Sequence, residues 1–249
     1  MWASMKETTL TGDKARAACR AASLFVVGAA LLLSRVASAA PIIEWDILAA
    51  TGQTASASSS VPEVSGTDLT PVNVTPWPGG YCCFVAAADW ESSAAGPDLS
   101  KYYEFSISAA AGYWIVYEDI TLSLFRGVQG SDHGAQLWQL RASHDGYAGV
   151  LAVFDISGSA ADEQTPFGVV DISAVGTQPG MVAFRLYGYD YTSSTDYSGL
   201  GNHPGPTPLS GTGSNLIMGG QLVPEPMTLL QVSLGLTMLA LAGRRRSTR

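Results

Sequence analysis

The sequence predicts an all-β protein, a single antiparallel β-sandwich or jelly roll, and three observations carry that expectation. Gly is abundant at 27 residues while charged residues make up only 14% of a 249-residue chain, a composition of strands and turns rather than helices. Short segments alternate apolar and polar residues, as strands with one buried face do. Turn signals separate them at 111–112, 130–134, 145–146, 178–180 and 199–211. No convincing helical period appears between the two ends of the chain.

Taken in order, the expected strands are 42–48, 81–87, 102–109 (YYEFSISA), 120–126 (ITLSLFR), 136–143 (QLWQLRAS), 149–156, 167–172, 181–189 and 216–222. Within 136–143, Trp138, Leu140 and Ala142 share the core face, and Leu137, Gln139 and Arg141 share the other. Eight or nine short strands so spaced suit one sandwich. Two stretches, the Ala/Ser/Thr-rich 49–65 and the Gly/Pro/Ser-rich 199–214, read as loop or linker.

Charge divides the chain. Residues 40–223 carry only Lys101, Arg126, Arg141 and Arg185 against eighteen acidic residues, a net of -14, while the other nine Lys and Arg residues lie in the two ends. A field of that sign repels polyanions, so DNA or RNA binding is not the expected role.

Both ends read as processing signals. The first has basic residues through Arg20, an apolar run at 21–33 (AASLFVVGAALLL), and small residues ending in Ala37 and Ala39. That is the form of a secretory signal peptide, 1–39, cut by signal peptidase after Ala39; a retained signal anchor is the alternative. The other end carries Pro224, Glu225 and Pro226, an apolar segment at 227–243 (MTLLQVSLGLTMLALAG), and a basic tail at 244–249 headed by Arg244, Arg245 and Arg246. As a helix the segment measures about 25 Å, just short of a hydrocarbon core of about 30 Å. A single marginal transmembrane helix follows, with the arginines as its stop-transfer signal on the cytoplasmic side.

Those C-terminal residues resemble the PEP-CTERM sorting signal of Gram-negative bacteria. The resemblance implies that an exosortase in the inner membrane acts near Pro224, Glu225 and Pro226, which are then substrate residues and not an active site. It also implies export across the inner membrane, transient anchoring, a final place at the cell surface or in the extracellular matrix, and company with exopolysaccharide. A chance single-pass tail anchor is the plainer reading. The intervening body, 40–222, is similar to the β-rich ectodomains common in that group. The similarity rests on Trp45 and Asp46; Tyr103, Glu104 and Phe105; Ala111, Gly112 and Tyr113; 138–143 followed by Asp145, Gly146 and Tyr147; and 184–189. This similarity implies a sandwich and supplies no activity.

Residue chemistry in the body points away from catalysis. His133 and His144 neighbour Asp132, Asp145, Ser131 and Ser143, but no nucleophile elbow, zinc-helix or phosphate-loop motif is present, and polar turns are the better reading. Adjacent Cys82 and Cys83 leave three options open: two thiols, a strained vicinal disulfide, or a link between chains. The acidic clusters make a structural Ca²⁺ ion a candidate cofactor, with a solvated acidic surface as the alternative. Tyr187, Tyr189 and Tyr191 share one face of a regular strand and are candidates for stacking on sugar rings, although aromatic residues so spaced are more often core. The expected function is therefore a structural or interaction protein of the cell surface or matrix. A carbohydrate-binding module associated with exopolysaccharide is the competitor, and an unrecognised secreted hydrolase is a distant third.

Overall fold

The structure, a computed structural model, describes residues 40–47, 49–78, 84–129, 132–159, 165–192, 196–201, 215–226 and 231. Its strands are β1 (Ala40–Trp45), β2 (Thr51–Gly52), β3 (Ala57–Ser59), β4 (Val64–Gly66), β5 (Thr70–Val72), β6 (Thr75–Pro76), β7 (Phe84–Ala88), β8 (Tyr102–Ala109) and β9 (Tyr113–Arg126). They continue with β10 (Val128–Gln129), β11 (Asp132–His133), β12 (Leu137–Ala142), β13 (Ala152–Asp155), β14 (Thr165–Asp171), β15 (Thr177–Gln178), β16 (Val182–Tyr189), β17 (Ser198–Gly201) and β18 (Leu216–Pro224).

Two sheets pack face to face, as the composition and alternation predict. The larger runs β2, β7, β17, β9, β18, β1, β3, with β14 and β15 also pairing β9 and β6 pairing β7; the smaller runs β13, β12, β16, β8, β4, with β5 beside β8. Pairing is antiparallel throughout both sheets except between β2 and β7. Aromatic rings from the two sheets meet in the middle. Trp45 of the larger sheet stands edge-on to Phe105 of the smaller at 4.6 Å, and Tyr117 meets Phe184 at 5.5 Å. The Tyr103 hydroxyl crosses the gap to donate to the Ser198 carbonyl at 3.2 Å. Beside it Trp138 stacks on Tyr103 and meets Trp90 at 5.0 Å. Burying each such ring contributes roughly 1.5–3 kcal/mol, so this interior is the main source of stability.

The longest strand explains one boundary that alternation misses. Alternation predicts a strand over 120–126, yet β9 begins at Tyr113. Along it Ile115 and Tyr117 face inward, then Ile120, Leu122 and Leu124 do, so the inward set changes parity. The register supplies the reason: Gly219 pairs Asp119 while Gly220 pairs Tyr117, leaving Glu118 as the extra residue of a bulge. A bulge resets the period-2 pattern, so a continuous strand reads as two unrelated segments.

The linker expected at 49–65 is corrected by the structure. It contains β2, β3 and the start of β4, and Ala55 and Val64 are buried. Small side chains suit it to this place, because β3 lies at the edge of the larger sheet against β1 while β4 lies against β8 of the smaller. Similarly β17 takes residues 199–201 from the start of the expected Gly/Pro/Ser loop, and the remainder of that loop lies outside the described residues. The expected signal peptide with Ala37 and Ala39, Cys82 and Cys83, and Arg244, Arg245 and Arg246 also lie outside them. Among the described residues no helix is long and apolar enough to cross a membrane; all of 227–243 except Gln231 is outside that set.

Candidate functional site

The outward face of the smaller sheet carries the most distinctive side-chain cluster of the body. Alternation along β16 sends Val182, Phe184 and Leu186 into the core and turns Arg185, Tyr187 and Tyr189 outward. On β8 the same rule turns Tyr102 and Glu104 outward, and on β12 it turns out Gln139 and Arg141. Arg141 and Arg185 stand directly opposite each other in the antiparallel register, and Arg185 pairs Glu104 on its other side.

Arg185 is held between rings. Its guanidinium lies 4.2 Å from the Tyr102 centroid and 3.9 Å from that of Tyr147, and its Nε donates to Glu104 Oε2 at 2.7 Å. Its side chain remains 25% exposed and that of Glu104 36%. Arg141 has only neutral partners. It donates to the Tyr147 and Ala148 carbonyls and to Gln139 Oε1, and it lies 5.9 Å from the Tyr187 ring. Burial pushes the Tyr147 and Tyr187 phenols up, so both remain protonated donors at neutral pH.

A short loop positions Tyr147. After β12, Ser143–Asp145 makes one 3-10 turn closed by Gly146 in the left-handed region. Asp145 then accepts from the Gly149 and Ala148 amides, which holds its carboxyl below the usual range. Tyr147 itself sits at φ +64°, a conformation a bulky side chain rarely adopts, while its amide donates to the Ala142 carbonyl. The result is a ring laid over Arg185 by a loop that also receives the Arg141 donors. Ser143 serves the same turn, its hydroxyl accepting from the Ala183 amide.

The three tyrosines expected as a sugar-stacking set are placed differently. Tyr187 is 1% exposed and Tyr189 5%, so neither offers an open ring. Tyr187 is edge-on to Tyr102 at 5.5 Å, and Tyr189 accepts from Gln139 Nε2. Tyr191 lies beyond the end of β16, after Asp190 at φ +60°, and packs partly buried against the core. The regular strand assumed for all three ends at Tyr189, which is the physical reason they do not form one platform. The residues that do meet on this face with partly exposed side chains are Tyr102, Glu104, Gln139, Arg141, Tyr147 and Arg185. Sequence reading missed them as a site; the scarcity of arginine in an acidic body was the available signal.

The element Pro224, Glu225 and Pro226 is continuous with the sheet. β18 pairs β9 through Val223 with Trp114 and Pro224 with Tyr113, and the Glu225 amide donates to the Gly112 carbonyl at 2.9 Å. β1 pairs β18 only as far as Gly220, so Pro224 sits where the strand has one neighbour and its missing N–H leaves no ladder bond unmade on the open side. Pro224 and Pro226 are exposed.

Among the described residues no group of three or more His, Cys, Asp or Glu converges to hold a metal ion. Asp119 does lie near Glu118 and Asp171, and burial followed by those two charges raises its carboxyl above the usual range.

No protein-family model and no curated protein matches the chain. One solved structure, of carbohydrate-binding modules from the beta-sandwich superfamily, is similar at 7% identity and a TM-score of 0.23, over 64% of this chain and 56% of that one. A likeness of that size carries no argument about ligand or site. The all-β antiparallel sandwich stands on the strands and registers of this chain itself.

Proposed function

We propose that this chain is an exported β-sandwich that works at the cell surface or in the surrounding matrix as a structural or interaction protein. Residues 1–39 start its translocation, 227–243 halt it in the inner membrane, and an exosortase releases or transfers the body at the element 224–226. The observation that carries the reading is the absence of any linker between β18 and that element, whose first proline is still paired to Tyr113. A body so joined sits close to the bilayer until the tail is removed.

Replacing Pro224, Glu225 and Pro226 together with alanine tests this in the producing cell. The variant is expected full-length in the membrane fraction, while the parent loses its tail. Equal trimming of both chains would overturn the assignment of the motif. A second reading, a carbohydrate-binding module in the same location, is favoured by one observation: partly exposed tyrosines and two guanidiniums gathered on one sheet face.

A further inference from the structure

We propose that the end of the sandwich from which the tail departs docks on the headgroup layer of a phospholipid bilayer, with Met181, Trp114, Tyr113 and Val150 as its apolar contacts. The proposal rests on the reading of 227–243 as a membrane anchor. Strand pairing gathers this end from five segments. Pro224 pairs Tyr113 at the start of β9, and Gln178 pairs Ile115 on the other side of that strand. The turn before Tyr113 meets the smaller sheet, where Val64 pairs Ala109 and the Ala110 amide donates to the Glu63 carbonyl. Val182 pairs Ile107, which places Met181 just beyond, near the end of β8. The Ala183 amide donates to Ser143 Oγ, so the loop over 143–150 closes the same end.

Its first support is reach. Glu225 and Pro226 alone separate Pro224 from the apolar segment, so the chain allows no more than roughly 10 Å between Pro224 and residue 227. The polar layer on each side of the hydrocarbon is about 5–8 Å deep. Tyr113 and Trp114, paired with Pro224 and Val223, are therefore carried to headgroup level, where Tyr and Trp side chains are favoured. Its second support is what the end exposes. Met181 is 66% exposed and Val150 44%, two of the five exposed large apolar side chains among the described residues, and Tyr113 and Trp114 are partly exposed beside the tail. Its third support is charge. The segments 61–63, 109–114, 143–150, 178–181 and 224–226 hold no Lys or Arg, and only Glu63, Asp145 and Glu225 as acids. Asp145 is turned to the Ala148 and Gly149 amides of its own loop. Sixteen of the eighteen acids of 40–223 thus lie outside these segments, and this end approaches a zwitterionic headgroup layer with little repulsion. A second copy fits less well, because it would bring its own charge of -14 against the first. The anchor already holds the lipid surface alongside, and tethering of that kind gives an effective concentration of about millimolar, so a few apolar contacts suffice.

The test uses the full-length chain reconstituted in phosphatidylcholine vesicles whose acyl chains carry bromine either just below the headgroups or near the bilayer centre. Trp114 emission is taken as the signal of the parent less that of Trp114→Phe. Shallow bromine is expected to quench it about twofold or more above deep bromine. Met181→Asp should cut the shallow quenching by about twofold or more. Leu99→Asp, which changes an exposed residue just before the opposite end of β8, should leave it unchanged. Both substituted side chains are exposed, so the melting temperature holds in each. A chain that stays with the vesicles through an alkaline wash yet shows no shallow quenching of Trp114, or the same quenching with Met181→Asp, would overturn the docking and leave the anchor standing. So would a Trp114 emission that shifts with the ratio of protein to lipid, because the end would then face a second copy. A chain that the wash removes from the vesicles would refute the anchor itself, and the docking with it.

Discussion

Gly188 gives the sharpest test of the interior, because it sits where three rigid groups converge. It pairs Trp138 across the β12–β16 ladder and faces inward between two outward tyrosines. A Cβ added there would lie 3.0 Å from Trp138 Cζ3, 3.0 Å from Trp90 Cδ2 and 3.1 Å from Ala135 Cβ. Comfortable carbon contacts need about 3.5–4.0 Å, so each neighbour must retreat by roughly half an ångström or more. Retreat is blocked. Trp138 is stacked on Tyr103, and Trp90 is pinned by its indole N–H to the Ala87 carbonyl at 2.8 Å. Overpacking of this kind costs about 1–3 kcal/mol, while the lost chain freedom of glycine returns about 0.4–1 kcal/mol. A net loss of about 1–2 kcal/mol lowers Tm by roughly 2–8 °C for a body of this size. Gly188→Ala should show that drop by circular dichroism and by the fluorescence of the buried indoles. Gly180→Ala is the control, since its Cβ would meet nothing within 4 Å. A Gly188→Ala chain that melts with the control would refute the account of how the two sheets meet.

Three further outcomes are expected. Tyr103→Phe removes the hydroxyl that reaches the Ser198 carbonyl between the sheets and should cost about 0.5–1.5 kcal/mol in denaturant titration, with the m-value unchanged. Asp119→Asn should raise Tm by on the order of 1–3 °C at pH 7, a small gain because solvent screens the site. Its carboxyl is raised by burial, Glu118 and Asp171, so its charge opposes folding above the ordinary value of 3.8, and the gain should vanish near pH 3, where the carboxyl is protonated in both states. Asp145 has the opposite sign. Its carboxyl is held low by the Gly149 and Ala148 amides, so its contribution is full above 3.8 and is lost as pH falls through the lowered folded value. Protection of the 148 and 149 amides relative to their intrinsic exchange rates should therefore fall only in acid for the parent, and be low at every pH for Asp145→Ala.

Much of this fold was legible because the buried faces alternate cleanly. Trp138, Leu140 and Ala142 fall on the core side of β12 as their spacing predicts, and 102–109 is a strand from end to end. What alternation could not carry was anything that breaks period 2. The bulge at Glu118 hid the first half of β9, and small residues in β3 and β4 resembled a linker because edge strands need little side chain. The outward cluster was illegible for another reason. Glu104, Arg141, Tyr147 and Arg185 come from three separate segments, and the ring of Tyr147 reaches Arg185 only through a left-handed turn that no periodicity encodes. The alternating tyrosines attracted attention instead, yet Tyr187 is covered by the neighbours that make the cluster.

The central claim is that translocation begins at one end of this chain and sorting finishes at the other. Mass spectrometry of the mature chain from producing cells, with and without the exosortase, tests it most directly. The account predicts an N-terminus at Ala40 in both strains, and loss of the tail by a cut near Pro224 only where the enzyme is present. An intact chain from Met1 to Arg249, recovered in the cytosol of both strains, would contradict it.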